Sequence, residues 1–138
     1  MNMKGERQFV GYSKYRSRLV DGHVHTELCP HGSGDRTAMM IEKAIELRIE
    51  KVCLTEHAPL PTAFAAEYGG DKKAYDTASL KLNQVDAYLE LGRQLQRAYG
   101  THIDISLGFE VDYIPGFESD IQEFLDRYGP LTDDNILS

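Results

Sequence analysis

The 138-residue chain is 41% hydrophobic and 27% charged, with a formal net charge of -7. Such a composition fits one ordinary globular domain. It offers nothing like the ~18 consecutive apolar residues of a membrane span, and its acidity argues against nucleic acid, whose phosphates call for clustered Lys and Arg. A small phosphorylated substrate stays compatible, because bound metal ions reverse the sign of the field locally. The basic first residues lack the apolar core of a secretory signal, so a cytoplasmic location is expected. Cys29 and Cys53 are then thiols rather than a disulfide framework.

Residues 1–17 show no period and read as an N-terminal extension to a domain over 18–138. A strand is expected from Arg18 to His25. Ser33 or Asp35 can cap a helix to about Arg48, with Met40, Ile41, Ala44, Ile45 and Ile49 on its apolar stripe. Val52, Cys53 and Leu54 suit a buried parallel strand, stopped at Glu56-His57 by Pro59 and Pro61. From Ala58 to Thr77 the chain reads as a long loop around Gly69-Gly70, of a length that is often functional. Helix returns near Ser79, carries Leu82, Val85, Leu89, Leu95 and Tyr99, and stops at Gly100. Ile103, Ile105, Leu107 and Phe109 mark a strand ending at Glu110. A third helix bears Ile121, Phe124, Leu125 and Tyr128 and closes at Gly129-Pro130. Asn135 to Ser138 begins a further strand. The β-α-β-α-β-α order predicts an α/β fold, the first three units of a β/α barrel that is truncated at its end.

The chemistry gathers where strands end. His23 and His25 are two apart on a strand and project to one side, so one metal ion can accept both. His31 follows a Cys-Pro turn and can reach back. His57 ends the second strand and Glu110 the third. Four of the five histidines and a carboxylate thus fall at C-terminal strand ends, the face that builds active sites in β/α folds. Imidazole with carboxylate suits zinc, manganese or iron, and a carboxylate bridging two ions places them about 3.5–4 Å apart. Alone, His-x-His is a weak signal, His57 could be a polar strand terminus, and Glu110 with Asp112 a solvated turn; joint placement favours the metal site. His102 precedes its strand, on the opposite face, and reads as structural. Glu56 is either a partner behind a ligand or a surface carboxylate. Cys29-Pro30-His31 as a structural zinc site lacks a second ligand pair. Cys29 as a phosphatase nucleophile lacks the Arg-bearing cradle that should follow it.

Taken in order, DGHVHTELCPHGSGD, LTEHAPL, LGFEVDYIPG and YGPLTDDNILS resemble the histidinol phosphatases of the polymerase-and-histidinol-phosphatase (PHP) superfamily, from about Arg18 to the last residue. The resemblance implies a distorted, TIM-like β/α barrel with up to three divalent ions (zinc, manganese or iron). His23 and His25 would hold one ion, Glu110 would bridge it to a second, and His31 with His57 would hold the third. Asp21, Glu56 and Asp112 are candidates for contacts behind the ligands or to substrate. The implied reaction is hydrolysis of L-histidinol phosphate to L-histidinol and phosphate, in histidine biosynthesis, by metal-bound hydroxide, with no side-chain nucleophile. The family's remaining ligands lie on later strands, so the chain alone is expected to be incomplete, to show little or no activity, and to self-associate through exposed barrel edges. The rival functions are another PHP-type phosphoesterase, acting on a nucleotide or phosphotyrosine, and a non-catalytic metal-binding fragment.

Overall fold

A computed structural model describes residues 18–68 and 71–138; the expected extension over 1–17 lies outside the described residues. Strands β1 (Val20–Val24), β2 (Lys51–His57), β3 (Asp104–Val111) and β4 (Ile136–Leu137) form one sheet in the order β1-β2-β3-β4, and every pair is parallel. Parallel neighbours need a crossover connection, usually helical. Here α1 (Thr37–Glu46), a longer excursion ending in α3 (Val85–Tyr99), and α4 (Glu118–Tyr128) provide them. The α/β class, the strand order and the strand after Asn135 are as expected. Among the described residues, no helix is long and apolar enough to cross a membrane.

The core lies between sheet and helices. Val52 and Leu54 from β2 and Ile105, Leu107, Phe109 and Val111 from β3 pack against Ile41, Ala44, Val85, Tyr88, Leu89 and Leu95 of the helices. Gly92 lets α3 approach this surface, since a Cβ there would lie 2.3 Å from Leu107 Cδ1. Alternation turns Cys53, Thr55 and His57, with Ser106, Gly108 and Glu110, to the other face. Both faces of β2 and β3 are largely buried, as central parallel strands require. Their register sets His57 directly opposite Glu110.

Several local expectations are corrected. Neither Ser33 nor Asp35 caps α1; the Ser33 hydroxyl donates to Asp35 instead. The helix start is tied to Glu27, whose carboxylate accepts from Thr37 N at 2.6 Å while the Thr37 hydroxyl accepts from Glu27 N at 3.2 Å. The helix ends two residues before Arg48, which adopts φ 60°. Around it, Ile49 N donates to Ala44 O and Arg48 N to Ile45 O, both at 3.0 Å, a Schellman closure with arginine at the position usually given to glycine. The 58–77 stretch is not structureless. It holds a 3-10 turn (Thr62–Ala66) and α2 (Lys72–Ala78), whose N-terminus is capped by Asp71 accepting from Ala74 N. Leu82 sits in a separate 3-10 turn before α3 and is exposed rather than on its buried stripe. Gly100 follows α3 with an ordinary helical φ of -62°, so the helix stops without a left-handed residue.

The approach to β4 is held by side chains as well as by backbone, where Asp133 N donates to Leu107 O at 2.7 Å. Asp133 accepts from Leu107 N at 3.0 Å and Asn135 Oδ1 from Phe109 N at 2.8 Å. Gly108 makes the approach possible, because a Cβ there would fall 1.3 Å from Asp134 O. Arg93 and Gln96 of α3 donate to the same Asp133 carboxylate, joining helix, strand and loop.

Candidate metal centre

The ends of β1, β2 and β3 bring His23, His25, His57 and Glu110 together, and the loop after β1 adds His31. Glu110 Oε2 is the hub. It lies 2.9 Å from His23 Nε2, 3.1 Å from His25 Nε2 and 3.2 Å from His57 Nδ1, while the two Nε2 atoms stand 2.9 Å apart. The rings of His31 and His57 are 4.9 Å apart, and those of His25 and His57 4.3 Å. Burial raises the Glu110 carboxyl, but the His23 hydrogen bond and the neighbouring His57 outweigh it and leave it below the usual range. For His57, burial first and then the nearby His25 push the imidazole down, favouring the neutral, ligating form.

Glu56 decides the orientation of His25. Its carboxylate is fully buried, at 0% exposure. One oxygen accepts from Thr26 N (2.8 Å) and the Thr26 hydroxyl (2.7 Å); the other accepts from His57 N (3.1 Å) and lies 3.1 Å from His25 Nδ1. Facing an acceptor, His25 Nδ1 carries the proton and Nε2 is left as a lone pair. The carbonyl of Thr77, 2.8 Å from His31 Nδ1, fixes the His31 tautomer in the same way. Glu56 is therefore a buried partner of His25 and not a surface carboxylate.

The donor set fits a divalent cation. Ligand atoms bonded at about 2.0–2.1 Å and subtending 90–110° stand roughly 2.9–3.4 Å apart, which is the spacing of His23, His25 and Glu110. A proton on His23 Nε2 satisfies Glu110 once. The His25 lone pair nevertheless faces the same oxygen, and buried His57 Nδ1 has no hydrogen-bond partner. Such a surplus of lone pairs round one carboxylate oxygen is relieved by a cation.

The other candidates part company. Asp112 lies just past β3, half-buried, its carboxyl raised by burial. Asp21 stays away from the cluster, because the β1–β2 register shifts between Asp21 and Val24; it borders a recess beneath α1 with Thr37 and Ile41. Exposed His102 borders a recess with Arg48, Glu50 and Asp104, at the opposite end of the strands, as expected. Cys29 is buried near His25 and Glu56. The Glu56 oxygens are already engaged, so that trio reads as a hydrogen-bonded cluster. Burial, aided by the Glu56 charge, pushes the Cys29 thiol up, which opposes a role as nucleophile. Thr26, Tyr88 and the Thr77 carbonyl are the parts that sequence reasoning passed over. Tyr88 takes a hydrogen bond from Glu56 N and donates to Gly108 O at 2.6 Å, locking β2 to β3 beneath the site.

The profile of the PHP domain matches residues 21–135, most of the chain and every residue of this cluster. The chain belongs to the PHP family. Over 118 residues it is 40% identical to a histidinol-phosphatase of Bacillus subtilis (strain 168), an alignment covering 86% of this chain and 42% of that protein. A protein of Deinococcus radiodurans provisionally named histidinol-phosphatase is 27% identical over 80% of the chain and 38% of its own length. A crystal structure from Listeria monocytogenes, provisionally assigned as a histidinol phosphatase, superposes with a TM-score of 0.83 at 42% identity, covering 86% of this chain and 43% of that one. This PHP chain thus spans about two fifths of the length of the curated relatives it matches.

Proposed function

We propose that this PHP domain serves a metal-dependent phosphomonoesterase that hydrolyses L-histidinol phosphate to L-histidinol and phosphate, a step of histidine biosynthesis in the cytoplasm. The observation that carries the reading is the convergence of three imidazoles on Glu110 Oε2 within 3.2 Å. The similarity to the Bacillus histidinol-phosphatase supports the substrate, and the two free cysteines agree with a reducing compartment.

His23 and His25 would hold one ion, Glu110 would bridge it to a second, and His31 with His57 would hold a third; zinc, manganese and iron all suit imidazole with carboxylate. Bound ions supply positive charge for the phosphoryl oxygens and make water acidic enough to attack near neutral pH. The chain's own residues do the positioning. Glu56 keeps the proton of His25 on Nδ1, and the Thr77 carbonyl does the same for His31. The rigid β2–β3 register holds His57 and Glu110 in fixed relation, so the donors need no rearrangement as charge develops on the phosphoryl group.

The test is phosphate release from L-histidinol phosphate by this domain extended to the full length of its relatives, compared with a nucleoside monophosphate and phosphotyrosine, alongside elemental analysis of metal. Preference for L-histidinol phosphate, with metal content falling in the His23→Ala/His25→Ala variant, is the expected result. Equal rates on all three esters would point to a general phosphoesterase, and unchanged metal content in the variant would sink the ligand assignment.

A further inference from the structure

Beside the histidines lies an open cleft of about 590 Å³, a size suited to a small ligand. His31 and His57 form its metal side. Phe64 and Tyr68 from the excursion after β2 line it as well, as do Asp112 and Tyr113 after β3, with mostly small or aliphatic residues such as Leu60 and Ala78 between them. Phe64 and Tyr68 meet edge to face, ring centres 5.5 Å apart, and Phe64 also packs on Phe117 at 5.3 Å, so the wall is braced. Among the described residues, neither Lys nor Arg borders the cleft. Asp112 has no cationic partner among the described residues.

We infer that Asp112, with the aromatic wall beside it, selects phosphomonoesters of amino alcohols by binding the ammonium group of the leaving alcohol. The inference rests on the phosphomonoesterase reading for the end of the ligand that faces the histidines. The phosphoryl group belongs at Glu110, where the ligands converge. Asp112 follows two residues later, about 6.5 Å along an extended chain. That is the scale separating a phosphoryl group from an amine two carbons beyond the ester oxygen. A carboxylate beside aromatic faces attracts a cation through both charge and ring quadrupole, and it repels a second anionic group. A ligand with phosphates or carboxylates at its far end is therefore disfavoured, which separates amino-alcohol esters from nucleotides and sugar bisphosphates.

The experiment is calorimetric titration of L-histidinol and of N-acetyl-L-histidinol into the zinc-loaded protein and into Asp112→Asn, with inorganic phosphate as a second ligand and zinc content measured on both proteins. Acetylation of the amine is expected to weaken wild-type binding tenfold or more. Asp112→Asn should weaken L-histidinol to a similar extent while phosphate affinity and zinc content hold. Equal affinity for the two alcohols in the wild type, or no binding of either, overturns the inference without needing the variant to fold. Loss of zinc or of phosphate binding in Asp112→Asn, with L-histidinol still preferred no more than its acetyl derivative, overturns it in favour of a role on the metal side. The phosphatase reading fails on a separate measurement, the absence of phosphate release from L-histidinol phosphate. Amine discrimination without phosphate release would remove that reading and leave Asp112 as an ammonium site alone.

Discussion

At the scale of single residues, the sharpest consequence concerns Glu56. All its acceptor sites are spent on Thr26, His57 N and His25, so Glu56→Gln must point an amide N–H at one of those donors. The variant should lose about 10–100-fold in metal affinity through misoriented His25, and about 1–3 kcal/mol of stability from the unmatched buried donor. Competition with a chelator and a denaturant titration read the two effects separately; wild-type zinc affinity in Glu56→Gln would show that Glu56 does not orient His25. Arg48 runs in the other direction. Its left-handed φ of 60° costs a non-glycine residue about 1–2 kcal/mol, so Arg48→Gly should raise the melting temperature. His23, His25, His31, His57 and Glu110 were legible in the sequence because strand alternation and strand ends are written in residue order. For Glu56 the sequence left a partner behind a ligand and a surface carboxylate both open, because it shows neither the burial of that side chain nor the four donors around it. Ser33 and Asp35 were misread because each is a good capping residue, yet they bond each other locally while Glu27, ten residues back from Thr37, takes the helix start.

At the scale of elements, the side-chain bridge between β3 and β4 depends on glycine at 108 and aspartate at 133. Gly108→Ala should detach β4 from the sheet, seen as faster amide exchange at Ser138 and Tyr113, whose N–H groups donate to Val111 O and Ser138 O. Asp133 has a pH signature. Burial raises its carboxyl, but the hydrogen bonds from Leu107 N, Gln96 and Arg93 outweigh that and hold it below the ordinary aspartate value of 3.8. A depressed folded pKa contributes stability above the unfolded pKa and loses it as pH falls through the folded one. Wild type should therefore lose stability relative to Asp133→Asn as pH drops below about 4, a difference that parallel acid-unfolding curves would reveal. The helices were predictable as elements from their stripes, and Leu82 was lost from its stripe because a 3-10 turn intervenes before α3. The 58–77 stretch concealed α2 because seven residues are too few to show a helical period, and only the packing of its wall keeps it folded.

For the whole molecule, the site is also a device for holding three strand ends together. On the proposed metal reading, zinc or manganese would bind the folded arrangement alone and should raise the melting temperature in a concentration-dependent way, and the shift should vanish in His23→Ala/His25→Ala. A shift that persists in that variant would place the stabilising ion elsewhere. Both outer strands of the sheet also carry exposed apolar side chains, Val20 at 51% and Leu137 at 70%, with Leu19 beside β1 at 55%. The 138-residue chain is expected to associate with itself through these edges as its concentration rises, measurable by sedimentation.

The excursion between β2 and α3 leaves and returns at one place: Ala58 N donates to Glu110 O at 2.8 Å, and Leu80 N to His57 O at 3.3 Å. Its two feet therefore stand on the same pair of site residues, and between them it reaches out where Phe64 meets Phe117 and the Thr77 carbonyl meets His31. A segment anchored this way is an exchangeable cassette. As long as the Thr77 carbonyl keeps its place beside His31, it can be recut, lengthened or grafted from another protein with its footing unchanged, so the taste for a leaving group can drift while the strands beneath stay put.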